Sequence, residues 1–463
     1  MDDEFTLVLI SENRKGFGSQ FRIYRMLSIF DFDIKTNKSL TWAFPDSHIV
    51  CIRSFCSWVM FTHGYQFVIR AQVTTLLQDD TCATHLLMNR SRYVRFMSTH
   101  MNQRTMKAVG FSKYGKPTNL KMTEVPFPHG FDQKTNIIIK VHASSINPVD
   151  KALLGGDLKM VRPVASFPHV ISYDVAGVVE QADKNGTFTV GEPVFARLFG
   201  DSSDGNKTPW FRGAMAEYCV AHISNVVAKP ENLSFEEAAS IPLVGMTALQ
   251  ALKTSGLKEG DSIFISGGAG GVGTMAIQLA KHVFKAGRVV TTASKGEKAN
   301  MCKSLGADEV VDYKSKKFVD LYSKDVSQKF DVCFDTTAES LDMAEIIKEG
   351  GKIVTIAGMP TLEEIRRIGG TAWILKLFLK KKQKRKEFKA AQSAQASWTY
   401  LFLSPSGDDL RDLADHLQTG IIKPVLDGIW EFHSEDIQTG WQGAFTRSFS
   451  GRAKGKCVVT MIS

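Results

Sequence analysis

The chain has 463 residues, more than a single hydrophobic core ordinarily organises, so two or three domains are expected. Its hydrophobic fraction of 43% and charged fraction of 23% are those of a globular chain, and no apolar run approaches the length of a membrane span. The net charge of +9 owes much to one run, KKKQKRK at 380–386, a pattern more typical of a solvated face than of a nucleic-acid or lipid site.

Residues 1–105 carry no sustained period of 2 or 3.6 and receive no fold assignment. Their opening, Met1, Asp2, Asp3 and Glu4, is acidic, unlike a secretory or transit leader. From 81 to 123 there is no Asp or Glu, while Arg90, Arg92, Arg95 and Arg104 supply positive charge. Two readings stand for this stretch. It is a poorly ordered extension on a cytoplasmic protein or upstream sequence that is not normally made, or a product starting near Met88 carries an Arg-rich leader resembling a mitochondrial presequence. The seven cysteines are scattered and include no C-x-x-C pair, which argues against a disulfide framework or a cysteine-rich zinc lobe and fits a reducing compartment.

Organised sequence begins at Met106. Strands are predicted over 107–111, 137–141, 174–180, 192–198, 218–220 and 224–228, punctuated by Gly115, Pro117, Pro126 and Pro128. No strong helix is expected before Phe235, so 106–235 reads as a compact β-rich domain. Ser234 with Glu237 then forms a capping-box pattern that opens a helix. Strands at 263–266, 288–292, 309–313, 330–335 and 352–357 alternate with helical stretches such as 299–305 and 340–348. That alternation predicts an α/β domain over 236–420 built on a doubly wound parallel sheet. Within it, 371–395 reads as an insertion, 398–403 as the last strand and 408–418 as a helix. The tail, 421–463, returns to strands around 430–432 and 457–461 and is expected to pack on the first domain.

The most informative stretch is DSIFISGGAGGVGTMAIQLAK at 261–281, a short apolar strand, a glycine run and good helix formers. Gly268, Gly270 and Gly273 satisfy G-x-G-x-x-G in the strand–turn–helix setting that gives this motif its meaning. The glycines permit a tight turn, close approach of a pyrophosphate and close helix–strand packing, and the helix N-terminus offers N–H groups to phosphate. An NAD site places a carboxylate about 20 residues further on to hold the ribose hydroxyls. Here TTASKGEK occupies 291–298, with no carboxylate at the strand end. Ser294, Lys295 and Lys298 suit a 2′-phosphate instead; a pair of surface lysines is the plainer alternative.

Several segments together resemble the zinc-independent quinone oxidoreductase (zeta-crystallin-like) branch of the medium-chain dehydrogenase/reductase superfamily. They are SSINPVDK (144–151), YDVAGVVE (173–180), AEYCV (216–220), SIPLVGMTALQAL (240–252), GGAGGVG (267–273), LGADEVVDY (305–313), IIKPVLD (421–427) and GRAKGK (451–456). The resemblance runs from Met106 to the end of the chain. It implies a GroES-like β-rich catalytic domain interrupted in sequence by a Rossmann domain, with the active site in the cleft between them. It further implies NADPH as coenzyme, held by Thr247, Gly268, Gly270, Gly271, Val272, Gly273, Ser294, Lys298, Tyr313, Gly358 and Lys456. Ser294, Lys298 and Tyr313 match the positions that grip the 2′-phosphate in NADPH-dependent relatives.

Zinc-dependent members of the superfamily place a cysteine and a nearby histidine where this chain has Ile146, Asn147, Pro148, Val149 and Asp150. Thiol and imidazole are both missing there, and His142, His169 and His222 are scattered, so no metal is expected. Asn147 is the first choice for orienting the nicotinamide ribose or a substrate carbonyl, and Tyr173 is a candidate proton donor or substrate wall. Asp150 and Asp174 read as structural. Quinones and α,β-unsaturated carbonyls are the expected substrates, because conjugation stabilises the charge that follows hydride addition. Two other functions compete: a zinc-free aldehyde or ketone reductase, and a nucleotide-binding protein that uses its basic surface on RNA. No aromatic-interleaved RNA motif is present, so no nucleic-acid partner is expected. A homodimer is expected by resemblance, and the apolar-then-basic segment 374–386 permits peripheral contact with an anionic membrane.

Overall fold

The computed structural model describes residues 104–159, 164, 166–198, 213–358 and 386–461, together with the backbone of six short strands in the first 68 residues. The chain divides into two units, 1–102 and 103–463. In the first unit, β1 (Val8–Glu12) pairs with β2 (Gln20–Tyr24), β3 (Leu40–Ala43) with β4 (Ile49–Ile52), and β5 (Val59–Thr62) with β6 (Tyr65–Val68), each antiparallel.

The second unit contains a small and a large antiparallel-based sheet and one parallel sheet. The small one orders β10 (His169–Val170), β7 (Thr105–Phe111) and β8 (Lys121–Pro126) side by side. The large one is built on β9 (Asn136–Ile146), whose sequence NIIIKVHASSI is buried along nearly its whole length. One edge of β9 pairs with β11 (Asp174–Gln181). Its other edge is shared: β13 (Tyr218–His222) lies opposite 136–140, and β22 (Lys456–Thr460) lies opposite 143–146. With β12 (Pro193–Arg197), β14 (Val226–Ala228) and β21 (Leu426–Glu431), the order is β14-β12-β11-β9-β22-β21, with β13 branching off β9.

The expectation of no strong helix before Phe235 fails at α1 (Pro148–Gly155). Pro148 takes the first helical position, where its missing N–H has no intrahelical partner to lose, and Asp150 accepts the Asn147 backbone N–H at 2.7 Å. Gly156 closes the helix in the left-handed region at φ 85°. A helix of eight residues is too short for its apolar period to stand out in the sequence, so its caps carried the signal.

Next, α2 (Phe235–Ala239) opens with the Ser234–Glu237 capping box, both halves formed. It leads to α3 (Pro242–Ser255), which is buried over most of its surface. Val244, Met246, Ala248 and Leu249 of α3 share one core with Ala143, Ala176, Phe195 and Val458 of the large sheet and with Ile263, Val332 and Val354 of the parallel sheet. A helix apolar nearly all round belongs between two layers. Here α3 is the seam that joins them.

The parallel sheet comprises β15 (Ser262–Ile265), β16 (Arg288–Thr292), β17 (Glu309–Val311), β18 (Phe330–Asp335), β19 (Ile347–Thr355) and β20 (Ser397–Tyr400). Its order is β17-β16-β15-β18-β19-β20, with every neighbouring pair parallel. This is the doubly wound arrangement, whose ligand crevice opens beside β15 where the winding reverses. The helix expected over 340–348 stops at Ile346, because Ile347 is already extended and pairs with Phe330. The stretch read as an insertion ends in a helix, Lys386–Ser393, whose Ala391 is fully buried with Phe264, Phe330 and Ile353. That end is therefore the crossover between β19 and β20, while 371–385 lies outside the described residues. Another helix, Trp441–Phe449, intervenes between β21 and β22 where only strands are expected.

Candidate active site

The glycine loop follows β15 and runs into α4 (Gly271–Gln278). A Cβ on Gly273 would sit 2.3 Å from the Gly267 carbonyl oxygen, and one on Gly268 would sit 2.1 Å from Thr291 Oγ1. Both positions therefore require glycine for close packing of loop, helix and the neighbouring strand. Gly270 differs, because a Cβ there would meet only the Gly267 oxygen, at 3.4 Å. The protein leaves the space above Gly270 open, beside the first N–H groups of α4, which have no intrahelical acceptor. Those features fit the pyrophosphate of a dinucleotide.

The loop is held by its neighbours. Gly267 N–H donates to Thr292 Oγ1 and Gly268 N–H to the Thr292 carbonyl, both at 2.9 Å. Behind it lies Asp335, at the end of β18 and fully buried. It accepts from Ser340 Oγ at 2.5 Å, Thr355 Oγ1 at 3.1 Å and the Thr337 and Glu339 N–H groups at 3.0 Å. It also accepts from Ser266 Oγ at 3.3 Å, joining the ends of β15, β18 and β19. No motif in the sequence marked Asp335.

At the other end of the loop, a Cβ on Gly271 would meet Lys456 Cδ at 2.9 Å and Val244 Cγ1 at 3.0 Å. The stem of Lys456 and one side of α3 thus pack directly on the glycine loop. Thr247 is buried one turn beyond Val244 on the same side of α3. Gly358 follows β19, exposed at φ 87°, at the same end of the sheet as the loop.

The Lys456 ammonium group is buried, and its contacts define a polar cluster. It donates to Asn147 Oδ1 at 2.5 Å and the Ile146 carbonyl at 2.9 Å, and stands 3.6 Å from Asp174 Oδ2. Asn147 in turn donates through Nδ2 to Asp174 Oδ2 at 2.7 Å. Asp174 also accepts from Ser145 Oγ and the Leu243 N–H, each at 3.1 Å, and Arg197 Nε lies 3.8 Å away. Asp150 accepts the N–H of Asn147 at 2.7 Å and of Ser172 at 3.2 Å. Burial lowers the pKa of Lys456, opposed by the Asp174 and Asp150 charges. It pushes Asp150 up to about 6, against the Asn147 N–H and the Arg197 charge.

So Asp174 and Asp150, read from sequence as structural, are the groups that fix Asn147, and Arg197 is an addition that no sequence signal marked. The Asn147 amide does not swing freely towards a ligand, since both ends already have protein partners. Tyr173 is nearly buried, its hydroxyl 2.7 Å from His169 Nε2 and its ring 5.1 Å from the Arg197 guanidinium.

The residues expected at a 2′-phosphate are less tightly grouped. Ser294 is half-buried past β16, and Tyr313 is exposed past β17. Lys298 lies on α5 (Glu297–Ser304) and donates to the carbonyls of Arg452 at 2.9 Å and Ala453 at 3.2 Å. Burial, then the Arg447 charge, lowers its pKa. Among the described residues, no three His, Cys, Asp or Glu side chains gather where a metal ion could sit. No helix there is long and apolar enough to cross a membrane.

Comparison with known proteins matches residues 133–231 to the alcohol dehydrogenase GroES-like domain and 271–382 to the zinc-binding dehydrogenase family. The 2-methylene-furan-3-one reductase of Solanum lycopersicum is 34% identical over 76% of this chain and 79% of its own length. The chloroplastic NADPH-dependent alkenal/one oxidoreductase of Arabidopsis thaliana is 32% identical over the same shares, 76% and 79%. Among solved structures, the quinone oxidoreductase of Coxiella burnetii superposes with a TM-score of 0.62 at 26% identity, covering 78% of this chain and all of that one. The chain belongs to the zinc-independent quinone oxidoreductase branch of the medium-chain dehydrogenase/reductase superfamily.

Proposed function

We propose that this protein is an NADPH-dependent oxidoreductase that reduces quinones or α,β-unsaturated carbonyls. The observation that carries the reading is the meeting, at Gly271, of a glycine loop open above Gly270 with the buried Lys456–Asn147–Asp174 cluster. The names of the tomato and Arabidopsis relatives support the substrate class and the coenzyme. When bound, NADPH supplies the hydride, and the chain supplies position and electrostatics.

The glycine loop and the N-terminus of α4 take the pyrophosphate, with Thr247 and Gly358 towards the nicotinamide end. Ser294, Lys298 and Tyr313 receive the 2′-phosphate. Lys298 has three ammonium protons, and two go to the tail carbonyls, which leaves one for phosphate. Lys456 and Asp174 hold the Asn147 amide in one orientation, from which it would position the nicotinamide ribose or a substrate carbonyl. Conjugation in the substrate disperses the charge created by hydride addition, so no Lewis acid is required of the protein. The proton that completes reduction comes from solvent or from the Tyr173 hydroxyl, which His169 can recharge across 2.7 Å. A homodimer, and membrane contact through 374–386, belong to the same reading.

The test is NADPH oxidation with an ortho-quinone, a naphthoquinone, a simple enone and a saturated aldehyde, with NADH and EDTA controls. Turnover of the conjugated substrates, preferring NADPH and unaffected by EDTA, is the expected result. Preference for the saturated aldehyde would move the protein to the carbonyl reductases.

A further inference from the structure

Residues 451–456 form a strap between the two sheets, and it is fixed at several points. The Gly455 N–H donates to the Ala269 carbonyl of the glycine loop at 2.9 Å. The Lys454 N–H donates to Asp427 Oδ1 at 2.8 Å, and Asp427 is itself gripped by Arg447 through two bonds of 2.6 and 2.7 Å. Lys298 holds the Arg452 and Ala453 carbonyls. The backbone at Lys454 is therefore placed without any help from its own side chain. That side chain reaches across to α5 and pairs with Glu297.

Glu297 stands next to Lys298 in the first turn of α5, where a carboxylate suits the helix. The same position is unfavourable for a 2′-phosphate, which repels a carboxylate, and favourable for free ribose hydroxyls, which a carboxylate can accept. The Glu297 side chain is 75% exposed and that of Lys454 is 32% exposed, so their pairing adds little to stability. Its consequence is local charge.

We infer that Lys454 is a positioning residue for coenzyme choice: by occupying the Glu297 carboxylate, it prevents that group from repelling NADPH and from accepting the ribose hydroxyls of NADH. This rests on the coenzyme reading above and adds to it. Lys298 meets the phosphate directly, whereas Lys454 acts through Glu297.

The experiment compares kcat/KM for NADPH and NADH in the full-length wild type, Lys454→Met, Lys454→Arg, Glu297→Gln and the Lys454→Met/Glu297→Gln pair. Lys454→Met is expected to lower the NADPH-to-NADH ratio by about fivefold or more, through KM and not kcat. Removing Glu297 in that background is expected to restore the ratio to within about twofold of wild type, and Lys454→Arg to keep it. A merely structural role would depress both coenzymes together and would not be rescued by Glu297→Gln. Either of those results overturns the proposal while leaving the NADPH reading intact. A wild type that neither binds NADPH, by fluorescence titration, nor oxidises it would overturn the functional reading and this proposal with it.

Discussion

Lys456 shows how one side chain serves two parts of the site. Its stem presses on Gly271, and its ammonium group supplies bonds to Asn147 and Ile146 beside the Asp174 carboxylate. A buried charge that loses its partner is costly, so the cluster stands or falls together. Lys456→Met is expected to reduce stability by about 3–5 kcal/mol, read from urea unfolding, because Asp174 then lacks its nearest cation. At temperatures where the variant stays folded, turnover should fall more than coenzyme affinity, since the glycine loop survives while the Asn147 amide loses an anchor. Equal losses in both would mean that Lys456 serves the coenzyme alone.

At the scale of the element, the glycine loop works because strand, turn and helix close on each other. A methyl group at Gly273 cannot be accommodated without moving the Gly267 carbonyl, which it would approach to 2.3 Å. Gly273→Ala is expected to cost about 1–3 kcal/mol and to weaken NADPH binding at least about tenfold in a fluorescence titration. Retained affinity would mean that the loop yields more easily than its packing implies. This element was legible in the sequence because its signal is local, spanning a few residues on either side of the glycines. The alternation that follows it was legible for the same reason, and it led to the parallel sheet. The caps of α1 were also written locally, but eight residues gave no period to accompany them. The Asn147–Lys456 bond could not be read, since its partners lie 309 residues apart and neither residue type signals the other. Asp335 carried no sequence signal and Asp174 reads only as structural for a related reason: their importance lies in the donors that converge on them from separate elements.

Across the whole described unit, α3 fills the seam between the sheets and the strap at 451–456 ties them across the loop. Asp427 anchors that strap. Burial acts to raise its pKa, but the two bonds from Arg447 and the one from the Lys454 N–H outweigh burial and hold it below the ordinary value of 3.8. A carboxyl held low in the folded state stabilises the fold above that ordinary value, and the contribution is lost as pH falls through the lowered one. Asp427→Asn should therefore be less stable than wild type by about 1–3 kcal/mol at neutral pH, with the difference shrinking in acid. Urea unfolding at several pH values checks this, and a difference that does not vary with pH would remove the ion pair from the account.

The position of β22 has a consequence for how the protein is made. Every strand of the parallel sheet has been synthesised once Tyr400 is added, before β21 and β22 exist. The large sheet has to wait. Until residues 456–460 emerge, β9 keeps an open edge at 143–146, β21 has no neighbour in the sheet, and Asn147 lacks the ammonium group that steadies it. A nascent chain can thus acquire the strands of its nucleotide fold first, and Asn147 gains its ammonium partner only when β22 is added.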